Sequence, residues 1–154
     1  MMKRFSFHSS FGIVSLISDD DAIINITINS DDFYQDEPDK AILIAQKQIM
    51  EYFAGERKKF DFPYKITGSI FKREVLNTLR TIPYNTTWPY SKLALESGHS
   101  QAYRAVGSVC KNNPLPLIIP CHRVIKKNGD IGQFYGGREM KKALLKLEND
   151  YSNK

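Results

Sequence analysis

Two neighbouring residues carry the strongest chemical suggestion in this 154-residue chain: Cys121 and His122, within Ile118-Ile119-Pro120-Cys121-His122-Arg123. A thiol beside cationic side chains gains thiolate character, and the thiolate is the nucleophile. The same thiol would equally suit a core as a small packed hydrophobe. His122 reads either as the base of a Cys–His pair or as ordinary polar surface. Being adjacent, the two are poorly placed to hold one metal, and no further Cys/His spacing suits zinc, so no metal is expected. Glu148 is the third candidate. It stands four residues after Leu144, at the margin of an apolar stripe formed by Met140, Ala143, Leu144 and Leu147. From there a carboxylate can turn inward and orient an imidazole, or it can pair with nearby lysines. Cys110, the second cysteine, reads as structural.

The elements that must position these groups are legible in outline. Leu117-Ile118-Ile119, framed by Pro116 and Pro120, reads as a short buried strand delivering Cys121 at its end. A glycine-containing loop follows, then a helix over 138–150. Upstream, helices are expected over 70–81 and 91–97. Gly98-His99-Ser100 is expected as a tight turn, with Ser100 as N-cap of a further helix, which together make a helix-turn-helix. In that last helix Ala102, Ala105, Val106 and Val109 would face inward. Gln101, Arg104, Ser108 and Lys111 would form an outward polar stripe. Such a face fits a helix lying in a DNA groove, and it also fits any amphipathic surface helix.

The first part of the chain looks like scaffold. Runs at 4–8, 13–17 and 22–28, rich in Ile, Val and Phe and separated by Ser/Gly and Asp clusters, predict an antiparallel meander. Ile42, Ala45, Ile49 and Phe53 predict a helix over 39–54, with Asp39 as N-cap and Gly55 just past its end. Residues 56–68 read as a linker. The fold class expected is α+β: a small N-terminal meander-and-helix lobe, residues 1–65, then a mostly helical, winged-helix-like lobe, residues 66–154.

Charge divides along the same line. Residues 1–65 hold eight Lys and Arg against eleven Asp and Glu, a net of −3. Residues 66–154 hold fourteen against six, a net of +8. The second lobe therefore carries the footprint of a polyanion-binding surface, which a lysine-rich solvated surface would share. No run approaches the ~20 apolar residues of a membrane span, and the N-terminus shows no secretion signal. With two cysteines and no CxxC pair, free thiols in a reducing cytoplasm, or a nucleus, are expected.

The stretch Asn113-Pro114-Leu115-Pro116-Leu117-Ile118-Ile119-Pro120-Cys121-His122-Arg123-Val124-Ile125 resembles the active-site signature of the O6-alkylguanine-DNA alkyltransferases, the methylated-DNA–protein-cysteine methyltransferases. Ile82-Pro83-Tyr84, Tyr90-Ser91-Lys92-Leu93-Ala94, Arg104-Ala105-Val106-Gly107 and Gly136-Gly137 extend the likeness through the second lobe. Tyr52-Phe53-Ala54-Gly55 extends it weakly into the first. The resemblance implies direct-reversal DNA repair: a single-turnover, suicide transfer of an alkyl group from O6-alkylguanine in double-stranded DNA to Cys121. Whether O4-alkylthymine is also a substrate stays open. It implies a monomer needing neither cofactor nor membrane.

Site roles follow from the resemblance alone. Cys121 would accept the alkyl group, His122 would deprotonate it, and Glu148 would hold His122. Asn113 would brace the site, and Tyr90 would donate to the departing purine. Arg104 would fill the gap left by a flipped nucleotide, with Gln101, Tyr103, Ser108 and Arg123 also on DNA. Val124, Phe134 and Tyr135 would line the pocket. The chain departs from the family pattern at Tyr135 and Tyr103, where small residues are usual, and at Trp88-Pro89. Some relatives hold a structural zinc in the first lobe; here that lobe offers only His8. Rival readings are an alkylated-DNA-binding or regulatory helix-turn-helix protein without chemistry, and a cysteine hydrolase.

Overall fold

Alternation of apolar and polar residues folds the N-terminus into a three-stranded antiparallel meander: β1 (Met2–Ser9), β2 (Gly12–Asp19) and β3 (Ala22–Ile28), in that spatial order. Phe7 pairs with Val14, and Val14 with Ile28, while Leu16 pairs with Ile26, so one face presents a buried row. Asp20 and Asp21, both at positive φ (49° and 62°), make the tight β2–β3 turn. Asp tolerates that conformation better than branched residues do. Helix α1 (Lys40–Phe53) packs against the sheet. Its predicted stripe, Ile42, Ala45, Ile49 and Phe53, is buried as expected, and each fully buried aliphatic side chain contributes roughly 1.5–3 kcal/mol. Asp39 caps the helix by accepting from the Ile42 N–H at 2.9 Å. Gly55, at φ 77°, ends it.

The computed structural model describes residues 1–132 and 137–153. The chain divides into two units, Met1–Ile66 and Thr67–Lys154. Part of the expected linker belongs to the first unit. Phe62 is buried, the Ile23 N–H donates to the Pro63 carbonyl, and the Lys65 N–H donates to the Ile23 carbonyl, both at 2.9 Å. An aromatic with an apolar site to fill, next to strand-edge carbonyls, docks rather than spans.

The second unit holds α2 (Ile70–Leu79), α3 (Tyr90–Glu96), α4 (Tyr103–Lys111) and α5 (Arg138–Asp150), with a two-residue parallel pair of β4 (Trp88–Pro89) and β5 (Val124–Ile125). Helices α2, α3 and α4 pack on one another through Val75, Leu76, Leu79, Leu93, Ala94, Val106 and Cys110. The mixed helix-and-strand class expected from the sequence is the class observed.

Three local expectations need correction. The α3–α4 connection is six residues, 97–102, and α4 is capped by Ala102 rather than Ser100. The Ala102 N–H bonds the His99 carbonyl at 2.9 Å, so residues 99–102 form a turn of their own before the helix begins. Within α4, Ala105 is exposed and Cys110 is buried, four residues after Val106. The inward face is therefore rotated from the expected one. Finally, residues 117–119 are not a strand. Pro114, Pro116 and Pro120 offer no N–H to a ladder. The segment instead curls into turns in which the Ile119 N–H reaches the Leu115 carbonyl at 3.0 Å, with Leu117 at φ 79°.

Candidate active site

Cys121 is presented by that coiled segment. Asn113 ties it: Asn113 Oδ1 accepts from the Leu115 N–H at 2.9 Å, and Asn113 Nδ2 donates to the Ile119 carbonyl at 2.7 Å. Leu115, Leu117, Ile118 and Ile119 are buried and anchor the loop in the interior. The Cys121 N–H then bonds the Ile119 carbonyl at 2.8 Å, and a single 3-10 turn (Cys121–Arg123) begins. A side chain in this position has little freedom. Cys121 is 3% exposed.

The positive surroundings expected to activate this thiol do not by themselves do so. Burial pushes the Cys121 thiol up to about 11, which Asn113, Lys141 and local backbone donors only partly offset. At neutral pH the resting residue is a thiol, and turning it into a nucleophile requires a base.

The candidate for that base is the next residue in the chain. His122 is fully buried, and its Nε2 lies 2.6 Å from Glu148 Oε2. Glu148 is also fully buried. Its carboxylate accepts from the Asn85 N–H at 2.9 Å, from Arg123 Nε at 2.9 Å and from Arg123 Nη2 at 2.9 Å. Burial alone would raise this carboxyl, but hydrogen bonds from His122 and Arg123, with the Arg123 charge, outweigh it and hold it well below the usual carboxylate range. For His122, burial lowers its affinity for a proton, and Arg123 and Lys141 add to that effect against the pull of Glu148. The stable resting state is thus an ionised Glu148 paired with Arg123, beside a neutral imidazole. A carboxylate can only accept, so the imidazole donates through Nε2.

Arg123, expected at the DNA surface, is therefore an interior residue, 6% exposed, with Nη1 on the Ile82 carbonyl at 2.7 Å. Its neighbours explain the correction: a fork of donors next to a buried carboxylate has far more to gain inward than outward.

Lys141 is a site residue that sequence reasoning missed. It is fully buried, donates from Nζ to the Val124 carbonyl at 2.5 Å and lies 5.9 Å from the Tyr90 ring centre. Burial lowers it to about 8, with Cys121 and Cys110 pulling the other way. The signal was available, since Lys141, Leu144 and Glu148 fall at i, i+3 and i+7 on one helix face. Ala143, assigned to that face, is exposed. Burial raises the Tyr90 hydroxyl to about 12, with Cys110 and Cys121 adding to the effect. Its ring lies close to Gly107, and its hydroxyl close to Gly132, where a Cβ would stand 3.4 Å away.

Beside Tyr90 opens a cleft of about 770 Å³, lined among the described residues by Tyr90, Ser91, Tyr103, Arg104, Gly107, Ser108, Lys111, Lys126 and Lys127. Four of these are cationic and none is acidic. Arg104, Ser108 and Tyr103, the last 56% exposed, lie on the outer face of α4, as does Lys111. Gln101 is exposed in the preceding turn. Val124 is buried, offering its carbonyl to Lys141. The structure thus gathers Cys121, His122, Glu148, Asn113 and Tyr90 in one region. It keeps Arg104, Tyr103, Ser108 and Gln101 at the surface. Phe134 and Tyr135 lie outside the described residues.

Comparison with known proteins adds independent findings. The family model for the DNA-binding domain of 6-O-methylguanine DNA methyltransferase matches residues 70–150. A methylated-DNA–protein-cysteine methyltransferase of Mycolicibacterium paratuberculosis is 35% identical, over 99% of this chain and 95% of its own length. One from Methanosarcina acetivorans is 43% identical over 68% of this chain and 67% of its own. Among solved structures, the Mycobacterium tuberculosis OGT in complex with DNA superposes with a TM-score of 0.87 at 33% identity, covering 97% of this chain and 94% of that one. An O6-methylguanine DNA methyltransferase of Methanococcus jannaschii gives 0.69 at 29% identity, covering 94% and 92%.

Proposed function

This chain belongs to the methylated-DNA–protein-cysteine methyltransferase family, and from that premise we propose that it repairs DNA by moving an alkyl group from the O6 position of guanine to Cys121. The observation that carries the proposal is the buried pair of His122 Nε2 and Glu148 Oε2, 2.6 Å apart, directly following the buried thiol.

A base in a duplex must leave the stack to reach a buried thiol, at a cost of a few kcal/mol. Arg104, on the outward face of α4, occupies the space left behind, and the cations lining the cleft hold the phosphates. With the alkylated base in place, Cys121 gives its proton to His122, and the imidazolium is stabilised by Glu148. The thiolate sulfur attacks the alkyl carbon, a C–S bond forms, and the C–O bond breaks with its electron pair leaving on the guanine. Tyr90 donates a proton to the departing purine, which leaves neutral. The proton held by His122 returns to Tyr90 through solvent, closing the balance. The product is a thioether that water does not cleave, so one molecule acts once. The protein acts as a monomer, in the cytoplasm.

Mixing the protein with a short duplex bearing one O6-methylguanine tests this. The expected result is a mass gain of one methylene on the peptide holding Cys121, at a stoichiometry of one, absent in Cys121→Ala. Tight binding to that duplex with no mass change would instead establish a binding protein without transfer.

A further inference from the structure

Arg123 makes every guanidinium contact described above inside the protein, three of them to Glu148: Nε to Oε1 at 2.9 Å and to Oε2 at 3.2 Å, and Nη2 to Oε2 at 2.9 Å. Nη1 fixes the group to the Ile82 carbonyl at 2.7 Å. We propose that Arg123 is a positioning residue for alkyl transfer, acting through Glu148 to keep His122 an uncharged imidazole that donates from Nε2 and receives the Cys121 proton on Nδ1.

The reasoning is one of charge balance in a site closed to water. A buried carboxylate beside an imidazole has two ways to shed its isolated charge. It can take up a proton itself, or it can draw one onto the imidazole and form an ion pair. In the first state Glu148 no longer stabilises an imidazolium formed during the reaction. In the second, His122 is already protonated and has no lone pair for the thiol proton. A guanidinium does not deprotonate at any relevant pH. Placed on both carboxylate oxygens, it supplies the countercharge without a proton from His122.

The described groups around His122 and Glu148 all enter this balance. From α5 come Glu148 and Lys141, and from the 3-10 turn Cys121 and Arg123. From residues 82–87 come the Asn85 N–H, on Glu148 Oε1 at 2.9 Å, and Tyr84, whose ring centre lies 5.6 Å from the Arg123 guanidinium carbon. Lys141 acts on His122 in the same sense as Arg123, and among the described residues Glu148 opposes them. Arg123 differs from Lys141 in touching the carboxylate directly. It therefore sets both the charge and the orientation of the group facing His122.

The inference rests on His122 serving as the base toward Cys121. Single-turnover methyl transfer from an O6-methylguanine duplex would be followed against pH for the full-length wild type, Arg123→Lys and Arg123→Gln. In Arg123→Gln the acidic limb of the rate profile is expected to move to higher pH by about one unit or more, with the rate recovering on the alkaline side. Arg123→Lys retains the charge and is expected to move less. A limb that stays in place, or a rate lowered by the same factor at every pH, would overturn the proposal and leave Arg123 merely structural. Because Arg123→Gln exposes Glu148 to an uncompensated buried charge and could unfold, the wild type supplies a second measurement. Nitrogen-15 NMR of His122 at pH 7 is expected to show a neutral ring protonated at Nε2; an imidazolium, or protonation at Nδ1, would overturn the proposal. A wild type that takes no methyl group would sink the functional reading separately, since the NMR result does not depend on turnover.

Discussion

On the proposed mechanism Cys121 gains reactivity from its partners at the moment of reaction and not from a low resting pKa. With burial pushing the thiol up to about 11, a small electrophile that does not engage His122 meets mostly thiol at neutral pH. Carbamidomethylation by iodoacetamide, followed by mass spectrometry, should therefore be slow at pH 7 and rise about tenfold per pH unit toward 11. The rate of methyl transfer from an alkylated duplex should not share that slope if His122, as proposed, takes the proton within the site. A carbamidomethylation rate that levels off at or below pH 8 would contradict this picture. Such protection has a use in a protein that acts once: the thiol is kept for a substrate that reaches it in register with the base. The same economy of charge explains Arg123. The residue letter suggested phosphate, but the buried carboxylate 2.9 Å away decided its direction.

Among the elements, the coiled segment before Cys121 places the thiol, and the helix α4 is the one proposed to meet the nucleic acid. Asn113 holds the segment by two hydrogen bonds, and Asn113→Ala would leave the Leu115 N–H buried without that partner and the Ile119 carbonyl with the Cys121 N–H in place of two donors. At about 1–3 kcal/mol for a group so stranded, the variant should lose roughly 1–3 kcal/mol in urea unfolding, and transfer should slow as the thiol loses its fixed position. An unchanged unfolding midpoint would show that the prolines and buried leucines hold the loop unaided. Helix α4 carries a different prediction. If Arg104 stands in for the displaced base, Arg104→Ala should slow transfer from duplex DNA far more than transfer from the free modified base. Equal losses on both substrates would place Arg104 in the chemistry itself or in the stability of the helix.

On the scale of the whole molecule, charge is partitioned: −3 over residues 1–65 against +8 over 66–154. The positive part includes the four cations lining the cleft beside Tyr90. Each phosphate neutralised contributes about −0.9 to the slope of log affinity against log salt. Duplex binding by Cys121→Ala, which cannot be consumed, should accordingly show a slope of several units in fluorescence anisotropy. A flat response would exclude the cationic cleft as the DNA-binding surface.

The pattern of apolar residues was enough to read the meander, α1 with its Asp39 cap, the extent of α5 and the mixed fold class, because periodicity of 2 or 3.6 and capping chemistry are local properties of the chain. The long string around Cys121 was likewise enough to suggest the family. Tertiary structure decided what local rules leave open. Residues 117–119 are as apolar as a strand, yet prolines and Asn113 made them a coil. Ala105 and Ala143 turned outward, while Cys110 and Lys141 turned inward. Most of all, whether Arg123 serves DNA or Glu148 depends on a carboxylate 25 residues away in sequence. A long, flexible cation takes its role from whichever partner folding brings within reach, and for Arg123 that partner arrives only when α5 docks.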